Sequence, residues 1–201
     1  MDKNKSVIRC EWARKHPLEQ DYHDSQWGVP LYDDQKLFEM LCLESAQAGL
    51  SWLTVLQKRE NYRKAFKDFD IDKVSNFSDQ KVEELLKDEG IIRNRLKIKA
   101  CINNAKCILK IQNSGMSFSD FLWEFVNHQP IQNSFKNASE VPAKTEISEK
   151  MSKTLKQHGF KFLGPTICYA FMQSVGMTND HIVSCFRHKI IKNLNQSPSP
   201  N

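Results

Sequence analysis

The sequence predicts an all-α fold, a single domain over residues 1–190. Three observations carry this. Apolar residues recur at helical spacing through most of the chain. No stretch alternates apolar with polar residues as a half-buried strand does. Helix-starting and helix-stopping residues fall at the ends of the periodic segments. With 12 Phe and 4 Trp in 201 residues, the chain has enough large side chains to bury a real core.

The elements follow in order. Asp33 or Asp34 can cap a helix running to about Gln47, and Ser51 a second one through Phe66 that carries Trp52, Val55, Leu56 and Tyr62. Ser78 opens a short helix with Val82, Leu85 and Leu86, which Gly90 ends. Ile98, Cys101, Ile102, Ala105, Ile108 and Leu109 mark a long amphipathic helix that stops before Gly115. Ser119 begins another with Phe121, Leu122, Phe125 and Val126. Residues 127–144 are polar and contain Pro130 and Pro142, so they read as an extended loop. Ser148 to Gln157 returns to helix and stops at Gly159. Pro165 suits the first turn of a helix reaching Ser174, with Gly176 beyond it. This makes roughly eight helices. There is no internal repeat, and residues 191–201, with Ser197-Pro198-Ser199-Pro200, read as a disordered tail.

The formal charge of +5 permits contact with a polyanion without demanding it. The start, Met1 to Ser6, lacks the apolar core of a signal peptide, and no apolar run approaches about 20 residues, the length of a membrane span. A cytoplasmic location is expected, where the six cysteines stay reduced. Cys42, Cys101, Cys107 and Cys168 lie in apolar helical contexts and read as small buried thiols.

One carboxylate stands out. Leu37, Leu41, Glu44 and Ala48 share a helix face, so Glu44 points where apolar residues point. A buried carboxylate is costly unless paired, so Glu44 has either a built-in partner or a cationic or donor-rich ligand. Glu39, by contrast, is expected to reach solvent. Trp12, Tyr22, Trp27 and Trp52 crowd the same part of the chain and could stack on a flat, electron-poor ring, although core packing explains any single one of them.

Two further groupings could carry chemistry. Cys10 and His23 lie near the start, and His181 and Cys185 near the end at i, i+4, which on a helix would share a face. Together they could hold a tetrahedral zinc ion, but the spacing is far from that of a zinc finger, and satisfied core or surface residues are the simpler alternative. The segment Gly159-Phe160-Lys161-Phe162-Leu163-Gly164-Pro165-Thr166 sits between two helices, where exposed backbone N–H groups at the second helix would favour a phosphate. An ordinary helix connection is the alternative. No Gly-x-Ser-x-Gly elbow, Walker loop or dinucleotide fingerprint is present.

Taken together, these stretches resemble the DNA-3-methyladenine glycosylase I family of helix-hairpin-helix glycosylases. The matching motifs are Arg9-Cys10-x-Trp12, Tyr22-His23-Asp24-x-x-Trp27-Gly28-Val29-Pro30, Leu37-Phe38-Glu39-Met40-x-Cys42-Leu43-Glu44 and Gln47-Ala48-Gly49-Leu50-Ser51-Trp52. Lys58 to Arg63, Gly90 to Arg93, Phe125 to Pro130, Gly159 to Phe162 and Asn179-Asp180-His181 extend the match over nearly the whole chain. The resemblance implies a hairpin from Gly159 through Gly164 to Thr166 that grips duplex DNA. It also implies one structural Zn2+ per chain on Cys10, His23, His181 and Cys185, tying the termini together. The implied base pocket is formed by Tyr22, Glu44 and Trp52, with Trp12 and Trp27 close by. The implied activity is hydrolysis of the N-glycosidic bond of 3-methyladenine in DNA, by a monomer that releases the free base and leaves an abasic site.

Two departures matter. Many helix-hairpin-helix glycosylases place a catalytic Asp where this chain has Asn179, and lyase-type members carry a hairpin Lys where it has Thr166. Both agree with the monofunctional 3-methyladenine branch and leave the water-activating group unassigned. Ser45 stands where the family pattern leads one to expect Gly. Rival readings are a non-catalytic lesion-binding module, a bifunctional lyase and a small-molecule-binding helical protein.

Overall fold

The computed structural model describes residues 7–194, so the expected start at Met1 to Ser6 and the expected disorder at Ser197 to Pro200 lie outside the described residues. Among the described residues ten α-helices carry the fold: α1 Pro17–Ser25, α2 Asp34–Gln47, α3 Trp52–Ala65, α4 Ile71–Ser75, α5 Asp79–Lys87, α6 Arg95–Asn113, α7 Phe118–Trp123, α8 Glu146–Gln157, α9 Pro165–Ser174 and α10 Phe186–Leu194. Several caps fall where the residue types place them. Asp33 accepts from the Lys36 N–H, Ser51 from Thr54 and Ser78 from Lys81. Asp34 is free for another task, and its carboxylate accepts from the Phe118 and Ser119 N–H groups at the start of α7.

Other boundaries moved. Ser117, not Ser119, caps α7. Thr145 caps α8, with Ser148 closing a reciprocal capping box from inside the helix. α1 was not foreseen, because Pro17-Leu18-Glu19-Gln20-Asp21 offers no apolar stripe. α10 continues through Leu194 with Ile191 fully buried, so residues 191–194 belong to the folded body and not to a tail. Ile131–Gln132 pairs in parallel with Thr178–Asn179, a ladder too short to leave a strand pattern in the sequence.

α2 is the central helix, packed against α3, α6, α7 and α9. Every residue from Leu37 to Ala46 is buried. The helix therefore has no solvent face, and the expectation that Glu39 reaches water is wrong. Glu39 is 7% exposed and takes Arg59 Nε at 2.7 Å and Arg63 Nη2 at 2.9 Å. One glycine is required by close packing. Gly176, after α9, has φ +72, and a Cβ there would fall 2.4 Å from backbone atoms of Val29 and Pro30. This approach brings the chain after α9 against the segment between α1 and α2.

Candidate functional site

A cavity of about 320 Å³ opens between α1, α2, α3 and α9. The five residues expected around a base line it together: Trp12, Tyr22, Trp27, Glu44 and Trp52. The Tyr22 and Trp52 rings lie 5.2 Å apart, tilted by 50°, and Trp12 meets Trp27 edge-on at 5.2 Å. Four lining residues were missed: Glu19, Gln47, Ala170 and Gln173. Ala170 and Gln173 are spaced i, i+3 and share a face of α9, but that spacing alone does not mark a site. Glu19 fell in the helix that was not foreseen.

The polar groups of this cavity are short of partners. Glu44 is 5% exposed and faces no cationic side chain among the described residues, and burial pushes its carboxyl up to about 8, opposed only by the Ser174 hydroxyl. That hydroxyl also lies 2.8 Å from the Phe171 carbonyl oxygen, to which it donates its single proton. The Tyr22 hydroxyl and the Trp52 indole N–H are both buried without a hydrogen-bond partner. Burial, followed by the neighbouring Glu44 charge, holds the Tyr22 phenol well above its ordinary range. Orphaned donors and an uncompensated carboxyl on residues that line one cavity are expensive in a folded protein, and a ligand that pairs with them would relieve the cost. Beside Glu44, Ser45 turns its hydroxyl back to the Leu41 carbonyl at 2.8 Å and is 1% exposed, so it does not enter the cavity.

Behind the Trp27 wall, Cys10, His23, His181 and Cys185 converge, all buried, with their ligand atoms within 4.8 Å of one another. His181 and Cys185 meet on a turn before α10, not on a helix face as their spacing predicts. The donor set fits zinc. Cys10 Sγ lies 3.7 Å from His181 Nδ1, and Cys185 Sγ lies 3.6 Å from the same nitrogen and 3.5 Å from His23 Nε2. Tetrahedral Zn–S and Zn–N bonds would set such sulfur-to-nitrogen edges at about 3.6 Å. The outer ring nitrogens are also occupied: His23 Nδ1 sits 2.8 Å from Asp24 Oδ1, and His181 Nε2 3.1 Å from the Trp27 carbonyl oxygen. Those contacts turn His23 Nε2 and His181 Nδ1 inward as acceptors, as metal-binding imidazoles need, although the Cys10 N–H also donates to His23 Nε2 at 3.4 Å. Burial lowers His181, favouring its neutral form.

A model of the methyladenine glycosylase family matches residues 12–188. The chain belongs to that family. It is 54% identical over 177 residues to DNA-3-methyladenine glycosylase 1 of Escherichia coli (strain K12), an alignment covering 88% of this chain and 95% of that protein. A crystal structure of 3-methyladenine DNA glycosylase I superposes with a TM-score of 0.88 at 50% identity, covering 89% of this chain and 98% of the other. A structure of such an enzyme in complex with 3-methyladenine superposes at 0.86 with 40% identity, covering 89% and 96%.

Within this glycosylase fold, Asn179 does not face the cavity. It is fully buried, and its amide N–H groups donate to Gln132 Oε1 at 2.9 Å and to the His188 carbonyl at 3.1 Å. Its neighbour Asp180, not singled out from sequence, is saturated. Asn133 and Thr178 donate to Oδ1 at 2.7 and 2.8 Å, and the Tyr169 hydroxyl and Gln173 Nε2 to Oδ2 at 2.5 and 2.8 Å. Neither side chain is placed to activate a water.

The segment from Gly159 to Gly164 joins α8 to α9, which pack against each other. Its backbone is held from α6. Asn103 donates to the Gly159 carbonyl at 2.8 Å, while buried Asn104 both donates to the Lys161 carbonyl at 3.0 Å and accepts from the Lys161 N–H at 2.8 Å. Gly164 caps α9 without a side chain, and Thr166 is exposed beside it. α9 thus runs from this turn to the cavity wall.

Proposed function

We propose that the chain excises 3-methyladenine from alkylated duplex DNA by hydrolysing the N-glycosidic bond, without lyase chemistry. The observation that carries this is Glu44, a buried carboxyl with no cationic partner, beneath aromatic rings and beside two orphaned donors. Methylation at N3 makes adenine cationic while it is attached to the sugar. A flipped cationic ring supplies the charge and the N–H donors that this cavity lacks. Tyr22 and Trp52 stack on the ring, with Trp12 and Trp27 closing the side. Normal adenine is neutral, gains less from Glu44 and from stacking, and is left in the helix.

The cation is already a good leaving group, so little acid catalysis is needed. The bond breaks through an oxocarbenium-like C1′, stabilised by DNA phosphates and the site. Glu44 acts in recognition rather than as the general base. The turn at Gly159, Gly164 and Thr166 contacts the DNA backbone through N–H groups at the start of α9. Thr166 stands where lyase-type members carry a lysine, so the amine that forms their Schiff base is missing at that position. Cys10, His23, His181 and Cys185 would hold one Zn2+ with no open position, a structural role that pins the two ends of the chain. A single domain acting as a monomer in the cytoplasm completes the reading, and among the described residues no helix is long and apolar enough to cross a membrane.

Incubation with N-methylated duplex DNA tests it. Release of free 3-methyladenine with an intact abasic strand is expected. DNA binding without base release would leave only a lesion binder, and a borohydride-trapped covalent complex would make the chain a lyase.

A further inference from the structure

The reaction needs a water held against C1′, and neither Asn179 nor Asp180 can hold it. The cavity has three other polar candidates outside the recognition group, and one of them, Gln47 at the end of α2, has no side-chain hydrogen bond among the described residues to hold it. Glu19 stands in the first turn of α1, partly exposed, and no side chain fixes it. Gln173 is different. Its Nε2 is bound to Asp180 Oδ2 at 2.8 Å. Because a carboxylate only accepts, the amide nitrogen must be the end that faces Asp180, and the planar carboxamide then turns Oε1 elsewhere. That oxygen has no hydrogen-bond donor among the described residues and is not one of the sealed, unsatisfied atoms. Gln173 lines the base cavity and also a neighbouring groove of about 300 Å³ that reaches Asp180. It therefore stands where the base cavity meets a second, water-accessible space.

We propose that Gln173 Oε1 orients the attacking water and that Asp180 is its positioning residue, an inference that rests on the excision reading above. The balance is simple. The water oxygen forms a bond to C1′, the C1′–N9 bond breaks, and its electron pair neutralises the departing cationic base. The water releases one proton to solvent. Gln173 accepts a hydrogen bond and takes no proton, which suffices because the leaving group is already activated. A held acceptor serves this task better than a mobile carboxylate, since the gain comes from fixed geometry. Asp180, with two donors on each oxygen, is rigid enough to fix it.

The test uses the full chain and DNA methylated at adenine N3. Gln173→Met, which keeps the volume, is expected to slow single-turnover excision by about tenfold or more. The Kd for free 3-methyladenine, read by tryptophan fluorescence, and the DNA concentration at half-maximal rate should stay within about twofold. Asp180→Asn should slow the step as well, at unchanged metal content, and should add nothing in the Gln173→Met background. Gln173→Ala provides the same reading if the methionine packs badly. An unchanged rate overturns the proposal. So does a parallel rise in the Kd for free base, which would make Gln173 a base contact, or multiplicative effects in the double variant. If the parent chain itself releases no base, the excision reading fails rather than the role of Gln173.

Discussion

Glu39 and Glu44 lie five residues apart on one helix buried on all sides, yet Glu39 is held by Arg59 and Arg63 while Glu44 has no counter-charge. On the function proposed above, equal burial with opposite pairing separates a structural carboxylate from one kept for a ligand. Glu44→Gln removes the charge while keeping the shape. Excision of 3-methyladenine should fall by about tenfold to a hundredfold, since a charge-assisted contact to the cationic base is lost. Base release from methylated DNA measures this, and unchanged release would remove Glu44 from the mechanism.

The same substitution should stabilise the free protein, with a defined pH dependence. The Glu44 carboxyl is raised from 4.5 to about 8 by burial. Below pH 4.5 it is protonated in both the folded and unfolded chains and costs nothing. Between pH 4.5 and 8 the unfolded chain ionises first, so stability drains away, and above pH 8 the loss is complete. Glu44→Gln removes this loss, by about 3 to 5 kcal/mol at most. Thermal melts should therefore coincide near pH 4.5 and diverge toward pH 8, with the variant higher.

Glu39→Gln should do the reverse. It leaves Arg59, only 14% exposed, without its carboxylate. A loss of about 2 to 3 kcal/mol is expected, discounted because Arg63 is a third exposed. Chemical denaturation at neutral pH reads it, and a variant as stable as the parent would contradict the pairing.

His181 connects the cysteine–histidine cluster to the cavity, because its Nε2 holds the Trp27 carbonyl and its ring packs edge-on to the Trp27 ring at 4.6 Å. Protein purified without added metal should carry about one zinc per chain. A strong chelator should lower Tm by about 5 °C or more and weaken binding of 3-methyladenine as the Trp27 wall loosens. Metal-free protein with an identical melt would refute the structural role.

The aromatic residues and Glu44 stood out in the sequence by residue type and helical register and line one cavity, whereas the two cysteines and two histidines, far apart in the chain, were drawn together as a metal site only by the family resemblance. What stayed hidden depended on partners far along the chain. The solvent-exposed reading of Glu39 failed because periodicity assumes that a helix has a wet side, and α2 has none. Asp180 looked like part of a motif, but its four donors come from α9, Thr178 and Asn133, which only folding assembles. Asn103 and Asn104 in α6 were not singled out, because their bonds to the turn after α8 carry no local pattern.

Lys97 makes the same point in testable form. It is 7% exposed, and its ammonium donates to the carbonyls of Ala46 at 2.8 Å and Ala48 at 2.7 Å, at the end of α2. Those are orphan carbonyls of a helix terminus, where a cation is favoured by both hydrogen bonding and the helix dipole. From there the chain turns through Gly49 to Ser51, which caps α3 and so aims Trp52 into the cavity. Lys97→Met keeps the aliphatic stem and abandons both carbonyls. It should cost about 1 to 3 kcal/mol in stability. It should also weaken 3-methyladenine binding, because the turn between Gln47 and Trp52 loses its anchor. Lys97→Arg, which restores donors to the same carbonyls, should recover most of the binding. Equal affinity in the parent and the methionine variant would show that Trp52 is aimed by α3 packing alone.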